Sequence, residues 1–326
     1  GGRLAYDSVR DRLVRFGGFG LPQGMAPTSE WDGTKWVGVP TDHVPPLQED
    51  GFDLVFDAAR GQVVLFGGYP ALHETWLYDG TDWTRAAPEN SPPARYDHAM
   101  AYDSHRGVVV LFGGNAGGGT VLEDTWEWDG TDWTEVSPAT SPTVRAGHQM
   151  VFDSARNVTV LIRGSHYSTT SSGWVVFITV NEVWEYDGST WTETIPANMP
   201  ATSVKGPLVF NPARGVTELM VMNYGSFDRL SYNGSSWSTT SASTGPGLYR
   251  EDHHAAYLGA SGTALYQRSS DTWSWDGSAW TCRTPFQRPN VTVWADVDDD
   301  GTPDRLAAGF VIGSTDGRQR HGKALF

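Results

Sequence analysis

Short apolar runs alternate with polar turns along most of the chain. The clearest example is Tyr102–Gly107, which leads into the apolar run Val108–Phe112 and the glycine pair Gly113-Gly114. The same shape begins at Tyr6 and Phe56, and degenerate copies begin at Phe152, Phe210 and Tyr257. Runs of about five residues rich in β-branched and aromatic side chains, bounded by glycine, are typical of strands. Each copy therefore predicts a strand, a short turn and a second, buried strand that ends at glycine.

A second motif, Asp-Gly-x-x-Trp, follows each of these strand pairs. Its copies begin at Asp32, Asp79, Asp129, Asp187 and Asp276, with an Asn-Gly variant at Asn233. Asp-Gly and Asn-Gly tolerate the positive φ that tight hairpin turns require. An aromatic residue precedes every copy, so each copy predicts a β-hairpin whose exit strand carries a tryptophan.

Together the two motifs make a unit of four short strands that recurs about every 43 to 58 residues. That period with four strands per unit indicates an all-β propeller, because one small sheet cannot bury both of its faces alone. We expect one propeller domain over 1–326 with seven blades, the last incomplete; six blades plus a capping hairpin is the alternative. The expected blades span approximately 3–38, 51–86, 97–136, 147–194, 205–240, 252–284 and 290–326.

The glycine pairs, the downstream aromatic residues and the period resemble kelch repeats, in particular those of bacterial kelch proteins and of the central domain of galactose oxidase. The resemblance covers about residues 3–282 and implies an interaction scaffold. Galactose oxidases use copper with a Tyr–Cys crosslink. The single cysteine of this chain, Cys282, lies on a predicted outermost strand, which argues against such a site.

An acidic run near the end of the sequence predicts a calcium site. It reads D-x-D-x-D-G-x-x-D over 296–304, with a glycine that permits a sharp turn. Alternate carboxylates converge when the chain curls, and hard oxygen ligands suit Ca²⁺. The expected ligands are Asp296, Asp298, Asp300, Asp304 and the carbonyl of Thr302. The run resembles FG-GAP-type calcium blades, and we expect the ion to be structural; a solvated acidic turn is the alternative.

Polar residues gather where the predicted innermost strands begin. These candidates for ligand binding are Arg95, Asp97, His98, Arg145, His148, Arg250, Asp252 and His253. Innermost strands ring the propeller axis, so equivalent positions come close together. His98, His148 and His253 are equivalent, and three histidines with nearby carboxylates suit a transition metal. The alternative is that these histidines pack between blades.

An insertion in the fourth unit, about 164–180, carries the apolar run Trp174–Ile178. An apolar run in a long surface loop indicates a lid, a contact patch or a strand pair folded onto the disc. Trp174 is the candidate contact residue.

The net charge of −15 argues against nucleic-acid binding, which requires basic patches. No apolar run is long enough to span a membrane as a helix. We expect a secreted, non-catalytic module that recognises a glycan or a protein through its long loops. The alternatives are a metalloenzyme with a histidine-based site and a structural segment of a larger secreted protein.

Overall fold

The computed structural model describes residues 2–17, 27–46, 51–169, 175–201, 206–223, 226–242, 253–258, 263–268, 271–276, 279–284, 292–295 and 304–307. They belong to two compact units, Gly1–Thr284 and Pro285–Phe326. The single domain over 1–326 stays a prediction.

The first unit is built from six four-stranded antiparallel sheets within its described residues. Sheet 1 comprises β1 (Arg3–Asp7), β2 (Arg12–Phe16), β3 (Thr28–Trp31) and β4 (Trp36–Gly38). Sheet 2 comprises β5 (Asp53–Asp57), β6 (Gln62–Phe66), β7 (Thr75–Tyr78) and β8 (Trp83–Arg85). Sheet 3 comprises β9 (Ala99–Asp103), β10 (Val108–Gly117), β11 (Thr120–Trp128) and β12 (Trp133–Val136).

The remaining three sheets repeat this plan, with one addition. Sheet 4 comprises β13 (Gln149–Asp153), β14 (Val158–Ile162), β17 (Val183–Tyr186) and β18 (Trp191–Thr194), and a separate hairpin, β15 (Ser165–Thr169) with β16 (Val175–Thr179), lies between β14 and β17. Sheet 5 comprises β19 (Leu208–Asn211), β20 (Val216–Asn223), β21 (Ser226–Tyr232) and β22 (Trp237–Ala242). Sheet 6 comprises β23 (His253–Leu258), β24 (Thr263–Arg268), β25 (Asp271–Trp275) and β26 (Trp280–Thr284). The described residues include no helix that could cross a membrane.

Local chemistry fixes the turn between the first two strands of a sheet. Asp7 ends β1, and its Oδ1 accepts hydrogen bonds from the backbone N–H groups of Val9 and Arg10 at 3.0 Å. Such side-chain bonds to the following backbone are how aspartate stabilises a tight turn. Asp57, Asp103 and Asp153 do the same in sheets 2 to 4. The repeated aspartate in the sequence therefore marks the turn, as predicted.

The six sheets close into a ring, and the prediction of seven blades is wrong. The first strand of each sheet contacts the first strand of the next, and β23 of sheet 6 contacts β1 of sheet 1. Leu13 and Trp31 of sheet 1 are buried against Ala256 and Leu258 of sheet 6. Six sheets therefore bury each other's faces without a further blade, giving a β-propeller.

Tryptophans of the exit strands hold neighbouring sheets together. Trp83 of sheet 2 is fully buried, and its indole Nε1 donates to Thr28 Oγ1 of sheet 1 at 2.8 Å. The same bond joins Trp133 to Thr75, Trp191 to Thr125 and Trp36 to Thr272. Each of these four tryptophans thus packs aromatic surface between two sheets while its only polar atom is satisfied.

Charged side chains form a second, repeated link between sheets. Arg10 pairs with Asp7 of its own turn and with Glu30 of β3, both at 2.6 Å. The hydroxyl of Tyr78, in sheet 2, donates to Glu30 at 2.9 Å. Sheet 3 repeats the arrangement with Arg106, Glu127 and Tyr186, and sheet 4 repeats it with Arg156, Glu185 and Tyr232.

In the second unit, β27 (Thr292–Ala295) pairs with β28 (Asp304–Ala307) as a two-stranded antiparallel sheet. The pair lies within the range 290–326 in which the sequence predicted an incomplete blade. No four-stranded sheet occurs among the described residues of this unit.

Candidate functional site

A cavity of about 420 Å³ lies on the axis of the ring and is lined by the innermost strands. One position of the repeat contributes a lining residue from every sheet, three residues before the strand's aromatic residue. These residues are Arg3, Asp53, Ala99, Gln149, Pro207 and His254. They lie where the strands begin, on the face from which the connections between sheets and the β14–β17 insertion emerge.

Arg3 and Asp53 give this cavity its charged groups. The Arg3 Nε lies 4.0 Å from Asp53 Oδ1 and donates to the carbonyl of Phe52 at 2.9 Å. Asp53 accepts backbone hydrogen bonds from Leu54 at 2.9 Å and from Met100, in sheet 3, at 2.7 Å. Burial raises the pKa of Asp53, while Arg3 and these two N–H groups act in the opposite direction. The carboxyl group thus joins sheets 2 and 3 at the cavity.

His98 and His148 line the cavity but are held between sheets. Their rings meet Phe66 and Phe112 of the preceding sheets edge-on, at centroid distances of 5.6 and 5.5 Å. Burial lowers the pKa of His98 well below its usual value and that of His148 to about 3, with nearby arginines adding to both shifts. Both imidazoles are therefore neutral, and their geometry matches the alternative of packing between blades.

Arg95 and Arg145, predicted to bind ligand, lie fully buried in ion pairs. Arg95 forms a two-pronged pair with both Asp124 oxygens at 2.7 Å and also donates to the carbonyl of Gly113 at 2.9 Å. Arg145 pairs with Glu182 at 2.7 Å and donates to the carbonyl of Arg163 at 3.1 Å. Both guanidinium groups tie a long loop to its sheet. Their ligand-binding role stays a prediction.

The other predicted residues of this group are only partly described. Asp97 has a positive φ of 55°. Its N–H donates to the carbonyl of Gly51 at 2.7 Å, and its carbonyl accepts from the N–H of Gly147 at 2.8 Å. Asp97 therefore links three successive connections between sheets. Arg250 and Asp252 lie outside the described residues. His253 begins β23, but its side chain is outside the described part. Among the described residues, no three His, Cys, Asp or Glu side chains are placed to hold a metal ion.

The β15–β16 hairpin exposes apolar side chains on the long-loop face. Phe177 is 61% exposed, and its neighbours Val176 and Ile178 are also exposed. Ser165 bridges to Ala146, and a Cβ on Gly164 would lie 3.2 Å from the Cβ of His148. The base of the hairpin is therefore anchored beside a residue that lines the cavity. Trp174, the predicted contact residue, lies outside the described residues.

The predicted calcium run falls mostly outside the described residues. Asp296, Asp298, Asp300 and Thr302 are not described, and only the backbone of Asp304 is, paired with Ala295. The two described strands thus flank the run directly. The calcium site itself stays a prediction.

Sequence reasoning missed Arg3, Asp53 and Gln149. Their chemistry differs from sheet to sheet, so no repeated letter marks them. Their position in the repeat could have identified them. Each stands three residues before the aromatic residue of its strand, directly after the position that His98 and His148 occupy in sheets 3 and 4.

Comparisons with known proteins agree with the architecture. No family model and no curated protein matches the chain. Among solved structures, the one described as "Structure of YjhT" has a TM-score of 0.53 at 13% identity, covering 73% of this chain and 83% of that one. A protein from Lactobacillus plantarum has a TM-score of 0.46 at 14% identity, covering 83% and 80%. The structure of YCF48 bound to D1 peptide has a TM-score of 0.41 at 11% identity, covering 82% and 74%. At 13% identity, the likeness to the YjhT structure shows the fold alone.

The ring of sheets, its axial cavity and the likeness to the YjhT structure define the class: the protein is a β-propeller.

Proposed function

We propose that this protein is a secreted, non-catalytic recognition module of the kelch type. It binds a glycan or a protein on the face that carries the axial cavity and the β15–β16 hairpin. The observation that carries the proposal is the exposed apolar strand Val176–Ile178, anchored beside the cavity-lining His148. An exposed apolar patch next to a polar cavity is typical of a binding surface.

The kelch assignment rests on the glycines that end the second strands. Gly67 and Gly113 have positive φ, and a Cβ on Gly67 would lie 2.6 Å from His98 Cε1 of the next sheet. A glycine is needed at that position both for its backbone conformation and for the close approach of the neighbouring sheet. This is the geometry expected if the glycine pair is a repeat signature.

The secreted location and the structural calcium ion are part of the same proposal. They are supported by the sequence alone: the acidic run over 296–304, the net charge of −15 and the polar, Ser/Thr/Gly-rich loops. Hard-oxygen calcium sites of modest affinity suit an extracellular module, where calcium is abundant.

The test is to screen the intact chain against glycan arrays, peptide arrays and whole cells. We expect binding of at least one ligand, and we expect Phe177→Ser to weaken it at least about tenfold, the loss expected for one buried aromatic anchor. Val9→Ser is the matched control, because Val9 is 67% exposed but lies in the β1–β2 turn at the opposite end of its sheet. Failure of the intact chain to bind any probe, or equal loss in both variants, would argue against the proposal.

A further inference from the structure

The axial cavity presents a hydrogen-bond donor and an acceptor of opposite charge side by side. The Arg3 side chain is 30% exposed and that of Asp53 is 18% exposed, so both are accessible from the cavity. Arg3 uses Nε for the Phe52 carbonyl, whereas its Nη1 and Nη2 make no hydrogen bond within the described residues. These two nitrogens carry four N–H donors. The Asp53 oxygens each accept one backbone bond, which leaves each with a further lone pair.

Two charged groups of opposite sign lie side by side in the cavity. Arg3 and Asp53 are the only Lys, Arg, Asp or Glu side chains among the described residues that line it, and they lie 4.0 Å apart. His98 and His148 also line it, and burial holds both of them neutral. A charged ligand would meet a like charge at one of the two groups without a compensating partner. A hydroxyl group avoids this, since it accepts from a guanidinium and donates to a carboxylate.

The volume sets the size of the ligand. About 420 Å³ lies at the low end of the range for small-molecule pockets, roughly 300–1,000 Å³. One molecule of monosaccharide size fits such a cavity. We propose that the axial cavity binds one small, uncharged, hydroxyl-bearing molecule of polyol or monosaccharide size, held between Arg3 and Asp53. This inference deepens the proposed recognition function and rests on it for the identity of the binding face.

The experiment is a calorimetric titration of the full chain with D-glucose, D-galactose, D-mannose and myo-inositol. D-glucuronate and D-glucosamine serve as charged counterparts of similar size. We expect at least one neutral compound to bind with a dissociation constant on the order of 1 mM or tighter. We expect the charged compounds to bind more weakly. No heat with any neutral compound, or equal or tighter binding of a charged one, would overturn the inference.

The variant Arg3→Met tests whether the neutral compound binds beside Arg3 in the axial cavity. We expect it to weaken binding of the neutral compound about tenfold or more, as expected for a lost charge-assisted hydrogen bond. The matched control is Arg12→Met, because Arg12 is half-buried, does not line the cavity, and its Nη1 bonds only the carbonyl of its neighbour Asp11. Circular dichroism and thermal unfolding check the fold of each variant, and Arg3→Lys replaces Arg3→Met if the latter does not fold. Unchanged affinity in a folded Arg3 variant would place the ligand elsewhere and refute the assignment.

The outcome is separable from that of the proposed function. If array or cell ligands bind and depend on Phe177 while no small neutral compound enters the cavity, only this inference fails. If neither kind of ligand binds, both fail.

Discussion

The indole Nε1 of Trp36 donates a hydrogen bond of 2.8 Å to Oγ1 of Thr272, a residue 236 positions later in the chain. Trp36 belongs to the first four-stranded sheet and Thr272 to the sixth. The equivalent bond joins each of the first four sheets to its neighbour. The first and sixth sheets are therefore neighbours of the same kind as the first and second, which is what a ring closed by six sheets requires.

Ring closure can be tested with Thr272→Val, which removes the hydroxyl and nearly preserves the shape. The Trp36 indole then loses its acceptor, and we expect the free energy of unfolding to fall by about 1–3 kcal/mol, measured by urea denaturation. Thr75→Val, which removes the acceptor of Trp133, is the matched variant and should have a similar effect. If Thr75→Val destabilises the protein and Thr272→Val does not, the six-sheet closure is wrong.

The tryptophan of sheet 5 lacks the threonine acceptor of this series. Trp237 of sheet 5 and Val183 of sheet 4 belong to one buried cluster, and Val183 occupies the position that Thr125 holds in sheet 3. The Trp237 Nε1 is buried and has no hydrogen-bond partner among the described residues. We therefore expect Val183→Thr to supply the acceptor and to raise the free energy of unfolding by about 0.5–1.5 kcal/mol. Val160→Thr, in the same cluster, is the control and should be destabilising. If Val183→Thr loses as much stability as the control, position 183 does not lie where an acceptor for the Trp237 indole belongs.

Two glycines of the Asp-Gly turns have the same backbone conformation but different surroundings, so alanine substitutions at the two positions can be compared directly. Gly33 and Gly130 have nearly the same φ, 98° and 99°. A Cβ on Gly33 would meet nothing within 4 Å, whereas a Cβ on Gly130 would lie 1.7 Å from the Nε of Arg60 in the preceding sheet. Arg60 in turn bonds Asp57 and the carbonyl of Gly107.

Gly33→Ala thus bears only the backbone strain, about 1–2 kcal/mol. Gly130→Ala must also displace Arg60, and we expect its loss of stability to exceed that of Gly33→Ala by at least about 1 kcal/mol. Chemical denaturation of the two variants in parallel measures the difference. Equal losses would mean that the arginine moves aside at no cost and does not help to hold the two sheets together.

Much of the fold follows from the sequence, and the exceptions have physical reasons. The turn aspartates, the Asp-Gly hairpins and the buried tryptophans are local or repeated features, so their spacing predicts the sheets. The number of blades depends on when the ring closes, which is set by packing between β23 and β1 at opposite ends of the unit. Sequence spacing carries no information about that contact.

The candidate site is also only partly predictable from the sequence. His98 and His148 stand out because they repeat, yet repetition reflects their common packing against Phe66 and Phe112. Arg3 and Asp53 do not repeat, because the other sheets carry Ala99, Gln149, Pro207 and His254 at the equivalent position. A pattern found by similarity among repeats therefore identifies the scaffold better than it identifies the site.

The buried histidines predict how stability depends on pH. The folded-state pKa of His148 is lowered to about 3 and that of His98 is also lowered, whereas an unfolded histidine titrates near 6.5. Below about pH 6.5 the unfolded chain takes up protons that the folded chain does not, so stability falls as pH falls from there toward about 3 and is fully present above about 6.5. Each such histidine contributes a slope of about 1.4 kcal/mol per pH unit well below pH 6.5.

Urea denaturation between pH 7 and pH 4.5 measures this slope. We expect His148→Gln to reduce it by about one proton relative to the parent protein, whatever the carboxylates contribute to both. Exposed His43 pairs with Asp82, which raises its pKa, so His43→Gln is a control in which the slope should not decrease. An unchanged slope in His148→Gln would show that this histidine is protonated in the folded protein.

The acidic run between β27 and β28 carries the last prediction. Its carboxylates repel one another unless a cation lies among them, so calcium should raise the melting temperature of the intact chain and chelation should lower it. The double variant Asp298→Asn with Asp300→Asn removes two expected ligands and nearly preserves their shape. We expect it to abolish calcium uptake, measured by calorimetry of the calcium-free protein, and to make the melting temperature insensitive to chelator. Asp11→Asn with Asp42→Asn makes the same change in net charge far from the run in sequence and should bind calcium as the parent protein does. If the Asp298 and Asp300 variant still takes up calcium, the ion binds outside this run.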